Sequence, residues 1–372
     1  MKILDGMRVV ELAAVLAGPS VGMFLAELGA EVIKIEHPGT QGDVTRSWQL
    51  TGEKPDGGRS SYFNSVNWGK TSLLLDVTRE TDRLQLEAHI RKADIVLVSF
   101  KPGDAEKLGL TYEAMKSLKP DIIYASLTGF GPDDSRTAYD ALLQAETGFM
   151  YLNREPDGKP MKMPVALIDI LAAHHLKELV LCAVIHRLKT GEGSHVETSL
   201  FEAAVSSLAN QAGSWLYAGA EPEPMGSGHP HIYPYGNSFT TGDGRDIVLA
   251  VGNNVQFRNL CNVLGDETIA ADSRFSSNPA RSANRTELES RLSKLFQKVE
   301  ESGVLIEKLH EKRVPAGMVK KVSEAITLYQ QRFTMHKHDG MRGIPQLAGL
   351  ANGIPVFGKV FAPPKLPGTS AE

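Results

Sequence analysis

The chain has 372 residues, 42% of them hydrophobic and 23% charged, with a net charge of −4 and an isoelectric point near 6.3. That length accommodates two domains with a sizeable core, and the charge balance leaves no basic footprint for nucleic acid. No apolar run approaches the roughly 20 residues that span a bilayer, and the amino terminus leads straight into a strand pattern, so a cytoplasmic protein with no membrane partner is expected.

Residues 7–13 read as a strand, 19–28 as a helix and 31–35 as a second strand, a βαβ unit with parallel strands. Gly18 and Pro19 stand where the helix should begin, where free N–H groups suit a phosphate, although Ala17-Gly18-Pro19 equally suits a plain turn. The G-x-G-x-x-G signature is absent from that loop, which disfavours NAD although Glu36 closes the second strand. Further strands are expected at 71–75, 95–100 and 122–127, with helices at 80–93 and 105–118 between them. The expected fold class is α/β, a doubly wound Rossmann-like parallel sheet of five strands. Ligands of such sheets bind beyond the carboxyl ends of the strands, which selects residues 13–18, 36–37, 75–76, 99–101 and 128–131 as a rim. Lys34, His37, Arg46, Lys70, Lys101 and Lys107 lie in or beside these loops; together they suit a polyanion, and singly they are ordinary solvated cations.

A helix opens near Asp140, which suits a cap. The stretch 164–199 then dominates the chain. Leu167, Ile170, Leu171, Leu179, Cys182, Ala183 and Ile185 recur at helical spacing, Pro164 suits the start, and Gly191 lies beyond the end. Asp169, in the opening turns, sits between Ile168 and Ile170. It suits a helix-start carboxylate, worth about 0.3–1 kcal/mol against the macrodipole. It also suits a nucleophile, since a poorly hydrated carboxylate can attack an activated acyl group. These residues alone leave both readings open.

A strand at 195–198 and a helix at 199–212 follow, then a Gly/Pro-rich linker at 219–235 and a hairpin around Asp243-Gly244. Helices at 254–264, 285–300 and 304–312 complete a smaller α+β domain over 219–334, apart from a large domain over 1–218. The tail, 335–372, has no helical pattern and reads as extended chain. Cys182 and Cys261 read as free core thiols of a reducing compartment. The histidine pairs lack ligand-like spacing, so no metal is expected, and G-x-S-x-G and Walker motifs are absent.

Ten stretches carry a resemblance: L-D-G-M-R-V-V-E-L (4–12), A-G-P (17–19), L-G-A-E-V-I-K-I-E (28–36), G-D-V-T-R (42–46), K-T-S-L-L-L-D (70–76), A-D-I-V (93–96), Y-D-A-L-L-Q-A (139–145), R-L-K-T-G-E-G (187–193), S-L-F-E-A (199–203) and P-Y-G-N-S-F-T-T-G-D-G (234–244). In this order they resemble the type III CoA-transferases, the family of formyl-CoA and carnitine-CoA transferases and the α-methylacyl-CoA racemases. The resemblance implies that Asp169 is a nucleophile. Its carboxylate attacks an acyl-CoA thioester to give a mixed anhydride, the released thiolate forms an aspartyl-CoA thioester, and an acceptor acid collects CoA through a second anhydride. An apolar flank at a helix start suits such a carboxylate. Gly226, Ser227 and Gly228 would supply N–H donors to the oxyanions.

The resemblance also places coenzyme A, bound as a substrate. Val15, Leu16 and Ala17 would meet it at the first turn, His37 after the second strand, and Leu75 near the adenine. Ser99, Phe100 and Lys101 would follow the fourth strand, Lys107 would reach a phosphate, and Thr137, Ala138, Tyr139 and Asp140 would lie along the pantetheine. The implied partners are an acyl-CoA, a small carboxylic acid and a second copy of the chain in an interlocked homodimer, with the tail threading back to the large domain. A racemase or epimerase of the same family needs a histidine paired with the aspartate, and Tyr139 stands where that histidine would be, which argues for transfer. A non-catalytic CoA-binding protein is the third alternative, because Ala173 replaces a glycine common after the catalytic aspartate.

Overall fold

The computed structural model describes residues 2–54, 56–155, 157–229 and 231–368. Runs of Val and Ile that are buried on both sides form its central strands, because a parallel sheet covered on both faces has no polar side to present. β1 (Arg8–Leu12), β2 (Glu31–Glu36), β3 (Lys70–Leu74), β4 (Ile95–Val98), β5 (Ile123–Thr128) and β6 (Ser194–Ser199) are all parallel, in the order β3-β2-β1-β4-β5-β6. The sheet thus has six strands rather than the expected five, and β6 closes its edge. The order reverses between β1 and β4, and there a crevice opens beyond the strand ends.

Successive side chains of a strand point to opposite faces. Val9 and Leu97 therefore join one core with the helices Ala17–Glu27 and Leu167–Thr190. Val10 and Val96 join the other, with the helices Glu80–Ile90 and Tyr112–Leu118. The first helix begins at Ala17 rather than Pro19. Its Gly18 and Gly22, one turn apart, let it lie directly on β1. A Cβ at Gly18 would stand 2.5 Å from Ala13 Cβ, and one at Gly22 would stand 1.7 Å from Glu11 Oε2.

The long helix is confirmed, but its buried stripe is Ile168, Ala172, Ala173, Leu176, Val180, Ala183 and Val184. Of the expected face only Ala183 belongs to it; Ile185 and Cys182 are exposed, while Cys261 is buried. The expected helix at 105–118 is two helices, Asp104–Leu108 and Tyr112–Leu118, parted by Gly109 at φ 61°. Likewise 199–212 breaks at Ala209 into Leu200–Ser206 and Asn210–Ala218.

Lys34, Arg46 and Lys70 are not rim cations. Lys34 Nζ lies 3.1 Å from Glu11 and 3.0 Å from Asp43, Lys70 Nζ lies 2.8 Å from Glu11, and the Arg46 guanidinium forks onto Glu36, all out of solvent. Buried charges persist only when paired in this way.

The chain divides into two compact units, one of residues 1–150, 162–220 and 333–372, the other of 151–161 and 221–332. In the second, β7 (Tyr235–Thr240) and β8 (Asp246–Ala250) form the hairpin, and an unexpected β9 (Ala316–Met318) adds to β8. Residues 151–161, which the sequence places in a loop of the large domain, belong here, as does the unexpected helix Val322–Arg332.

The tail forms two short hairpins, His336–His338 with Met341–Gly343 and Leu350–Ala351 with Ile354–Pro355. It is fastened to the first helix by Glu27, whose carboxylate accepts from His336 Nε2 at 2.7 Å and from the Gln346 and Leu347 amides at 2.8 and 3.0 Å. Among the described residues no helix is long and apolar enough to cross a membrane.

Candidate active site

The carboxyl ends of β1, β4 and β5 open on a cavity of about 160 Å³. Val15, Leu16, Ala17, Ser99, Phe100, Lys101, Ala138, Tyr139, Asp140 and Asp169 all line it. A neighbouring cavity of about 390 Å³ shares Ala14, Ser99 and Phe100 and is lined also by His37 and Leu75. Thr137 Oγ1 accepts from Lys101 Nζ at 2.9 Å. Lys107 lines neither cavity and pairs with Asp104 at 3.0 Å.

Asp169 stands in the first turn of the long helix, whose cap residue Ala166 offers no side-chain acceptor. Asp140 supplies it from another element. Its Oδ1 accepts the Ile168 N–H at 2.8 Å, and its Oδ2 accepts from Gln144 Nε2 at 2.7 Å. Gln144 also takes the Met163 N–H at 2.7 Å and gives to the Met163 carbonyl at 3.2 Å, so it holds the segment that leads into the helix. Asp140 does act as a cap, but of the long helix. Asp169 is half-buried, and burial, with the charge of Asp140 added, pushes its carboxyl up to about 7. Such a carboxylate is weakly hydrated and more basic than usual.

Sequence reasoning misses Gln144, Arg136 and Tyr62. Arg136 lines the smaller cavity, stacks on Phe130 at 3.9 Å and pairs with Asp134 and Glu146. Burial pushes the Tyr62 hydroxyl up to about 12, with Asp169, Asp140 and Asp43 adding to it. No spacing signal marks these residues. Gly226, Ser227 and Gly228 belong to the second unit, where the Gly226 amide donates to the Arg154 carbonyl at 2.9 Å and the Gly228 amide to the Met225 carbonyl at 3.0 Å. Two of the three expected donors are therefore engaged. Among the described residues no three potential metal ligands cluster.

The model of CoA-transferase family III matches residues 4–355. The chain belongs to this family. It is 39% identical over 327 residues to the succinate–glutarate CoA-transferase of Agrobacterium fabrum, covering 86% of this chain and 81% of the relative. It is 35% identical to the acetyl-CoA:oxalate CoA-transferase of Acetobacter aceti, covering 88% and 83%. A CaiB/BaiF family protein from Brucella suis has a TM-score of 0.87 to it at 36% identity, covering 97% of this chain and 96% of that one. As a family III CoA-transferase the chain is an enzyme, and the family implies CoA, as an acyl-CoA, for its substrate.

Proposed function

We propose that this CoA-transferase moves CoA from a short acyl-CoA donor to a carboxylic acid through an aspartyl-CoA thioester on Asp169. The observation that carries the reading is a half-buried carboxylate of raised basicity in the wall of the strand-end cavity, on a helix start fixed by Asp140. The strand order is that of a Rossmann-like sheet, in which ligands lie across the switch point between β1 and β4. The pantetheine runs past Ala138, Tyr139 and the 15–17 turn, and the adenine occupies the larger cavity beside Leu75, His37 and Phe100. Lys101, oriented by Thr137, is the cation for the phosphates in place of Lys107.

An Asp169 oxygen attacks the thioester carbonyl, the C–S bond breaks, and CoA leaves as thiolate. The thiolate attacks the aspartyl carbonyl of the anhydride and expels the donor acid. The acceptor carboxylate attacks the aspartyl-CoA thioester, the thiolate leaves again, and its attack on the acceptor's carbonyl releases Asp169. Each step exchanges one acyl bond for another, so no water or redox partner enters. The named substrates of the relatives include succinate, glutarate and oxalate, so short dicarboxylic acids are the proposed class. A cytoplasmic interlocked homodimer is part of the same reading.

Intact-protein mass after mixing with succinyl-, glutaryl- and acetyl-CoA, then hydroxylamine, tests the proposal. A CoA adduct or a hydroxamate at Asp169, absent in Asp169→Ala, supports it. No adduct with any donor, together with solvent exchange of the α-proton, overturns it in favour of a racemase.

A further inference from the structure

The turn between β1 and the first helix forms a wall of the smaller cavity and holds an unfavourable conformation. Val15 has φ +70°, the left-handed region that β-branched residues avoid. Two buried side chains hold it there. The Asp43 carboxylate accepts the Val15 N–H with both oxygens, at 3.4 and 3.3 Å, and Lys34 Nζ donates to the Ala13 carbonyl at 2.5 Å. Lys34 and Asp43 lie 3.0 Å apart with side chains 0% and 1% exposed. Glu11 supports Lys34 from below, and Thr45 fixes Asp43 through its amide at 3.0 Å and its hydroxyl at 2.8 Å. Lys34 and Asp43 also border the larger cavity, but side chains sealed this completely act on the smaller one through the turn.

We infer that the buried Lys34–Asp43 pair is a positioning device, which clamps the 13–16 turn in its strained form so that Val15 and Leu16 present an apolar wall to the CoA chain. This rests on the proposal that CoA occupies the strand-end cavity. Released from Asp43, Val15 leaves the left-handed region and the wall loses its shape. The device explains why two charges are paired beneath a turn that itself carries none, and why their partners come from β1, β2 and the following loop.

The test is a double-mutant cycle read by calorimetric binding of CoA and by the KM for acyl-CoA against kcat, on the full chain. Asp43→Asn in the otherwise wild-type chain is expected to weaken CoA binding about tenfold, the factor that the left-handed penalty of a non-glycine residue is worth. The loss is expected in KM rather than in kcat. Val15→Gly removes part of the apolar wall and costs affinity of its own. Glycine holds φ +70° without a clamp, so Asp43→Asn added to Val15→Gly is expected to cost less than about twofold further.

An equal loss in both backgrounds, or no loss in either, overturns the inference. Should Asp43→Asn not fold, Thr45→Val, which removes only the hydroxyl bond to Asp43, is expected to weaken CoA about threefold in the otherwise wild-type chain and not measurably when added to Val15→Gly; the same refutations apply. Ala138→Trp fills the cavity. If it leaves CoA binding intact, the cavity reading itself fails and takes the inference with it, whereas additive losses in the cycle, with CoA excluded by Ala138→Trp, sink the inference alone.

Discussion

Replacing Asp169 with asparagine should abolish transfer and, at alkaline pH, make the protein more stable. The carboxyl is moved by burial, and then by Asp140, from the ordinary value of 3.8 to about 7. The native state therefore holds a proton that the unfolded chain has lost between about pH 4 and pH 7, and stability falls as pH rises through that window. At about 1.4 kcal/mol per pH unit the penalty above pH 7 reaches at most ~4 kcal/mol. A half-buried site is partly screened by water, so about 1–3 kcal/mol is expected. Asparagine carries no charge at any pH and keeps the shape. Thermal melts of wild type and Asp169→Asn should coincide near pH 3.5 and part by about 2–8 °C at pH 8.5, the variant melting higher. Turnover should fall by about 10³-fold or more. In the wild type, kcat/KM should rise with pH to a plateau above about 7 as the nucleophile ionises. A stability difference of equal size at both pH values would refute the argument, because asparagine would then be acting through packing and not through charge.

Asp140→Asn keeps an acceptor for the Ile168 amide but removes the neighbouring charge, so the acid limb of the pH–rate profile should move to lower pH; Asp140→Ala also loses the cap and should cost about 1 kcal/mol in urea unfolding. Gly22→Ala drives a methyl into the Glu11 carboxylate over Lys70 and should destabilise by about 2–3 kcal/mol or prevent soluble expression. Glu27→Gln weakens the tail's fastening, and amide exchange of the Gln346 and Leu347 amides should quicken about tenfold or more while β4 stays protected.

The sheet is legible in the sequence because its signals are local. Alternating βα units and Val-rich runs buried on both faces announce parallel strands without knowledge of their neighbours. Asp169 stands out as an acid where the helix pattern calls for apolar residues, but those residues leave a helix-start carboxylate and a nucleophile equally open, and only the family resemblance singles out the second. The errors fall where the deciding partner is not a neighbour in the sequence. Lys34 and Lys70 look like solvated loop cations until the pairing of β1, β2 and β3 brings Glu11 to them, and Arg46 does until the loop after β2 folds back on Glu36. The phase of the long helix is misread from sequence because Leu, Ile, Val and Ala occur nearly all round it, and only the sheet selects the Ile168, Ala172, Leu176 and Val180 stripe. Ala209 breaks a helix with neither glycine nor proline to mark it.

The two acids of the site show how a fold separates identical groups. Asp140 and Asp169 meet at one helix start and line one cavity. Asp140 spends both oxygens, one on the Ile168 amide and one on Gln144. Burial and that neighbouring charge act on Asp169, and both raise its basicity. One carboxylate therefore anchors the helix, while the other is left basic and free for the proposed attack. Exchanging the roles would require moving the Gln144 and Ile168 donors. The variant Gln144→Leu should accordingly leave Asp140 less well satisfied, loosen the segment at Met163, and lower transfer without removing the proposed nucleophile. Measured beside Asp169→Asn, it should retain a CoA adduct by intact mass while turning over more slowly; complete loss of the adduct would show that Gln144 is needed for the first attack itself.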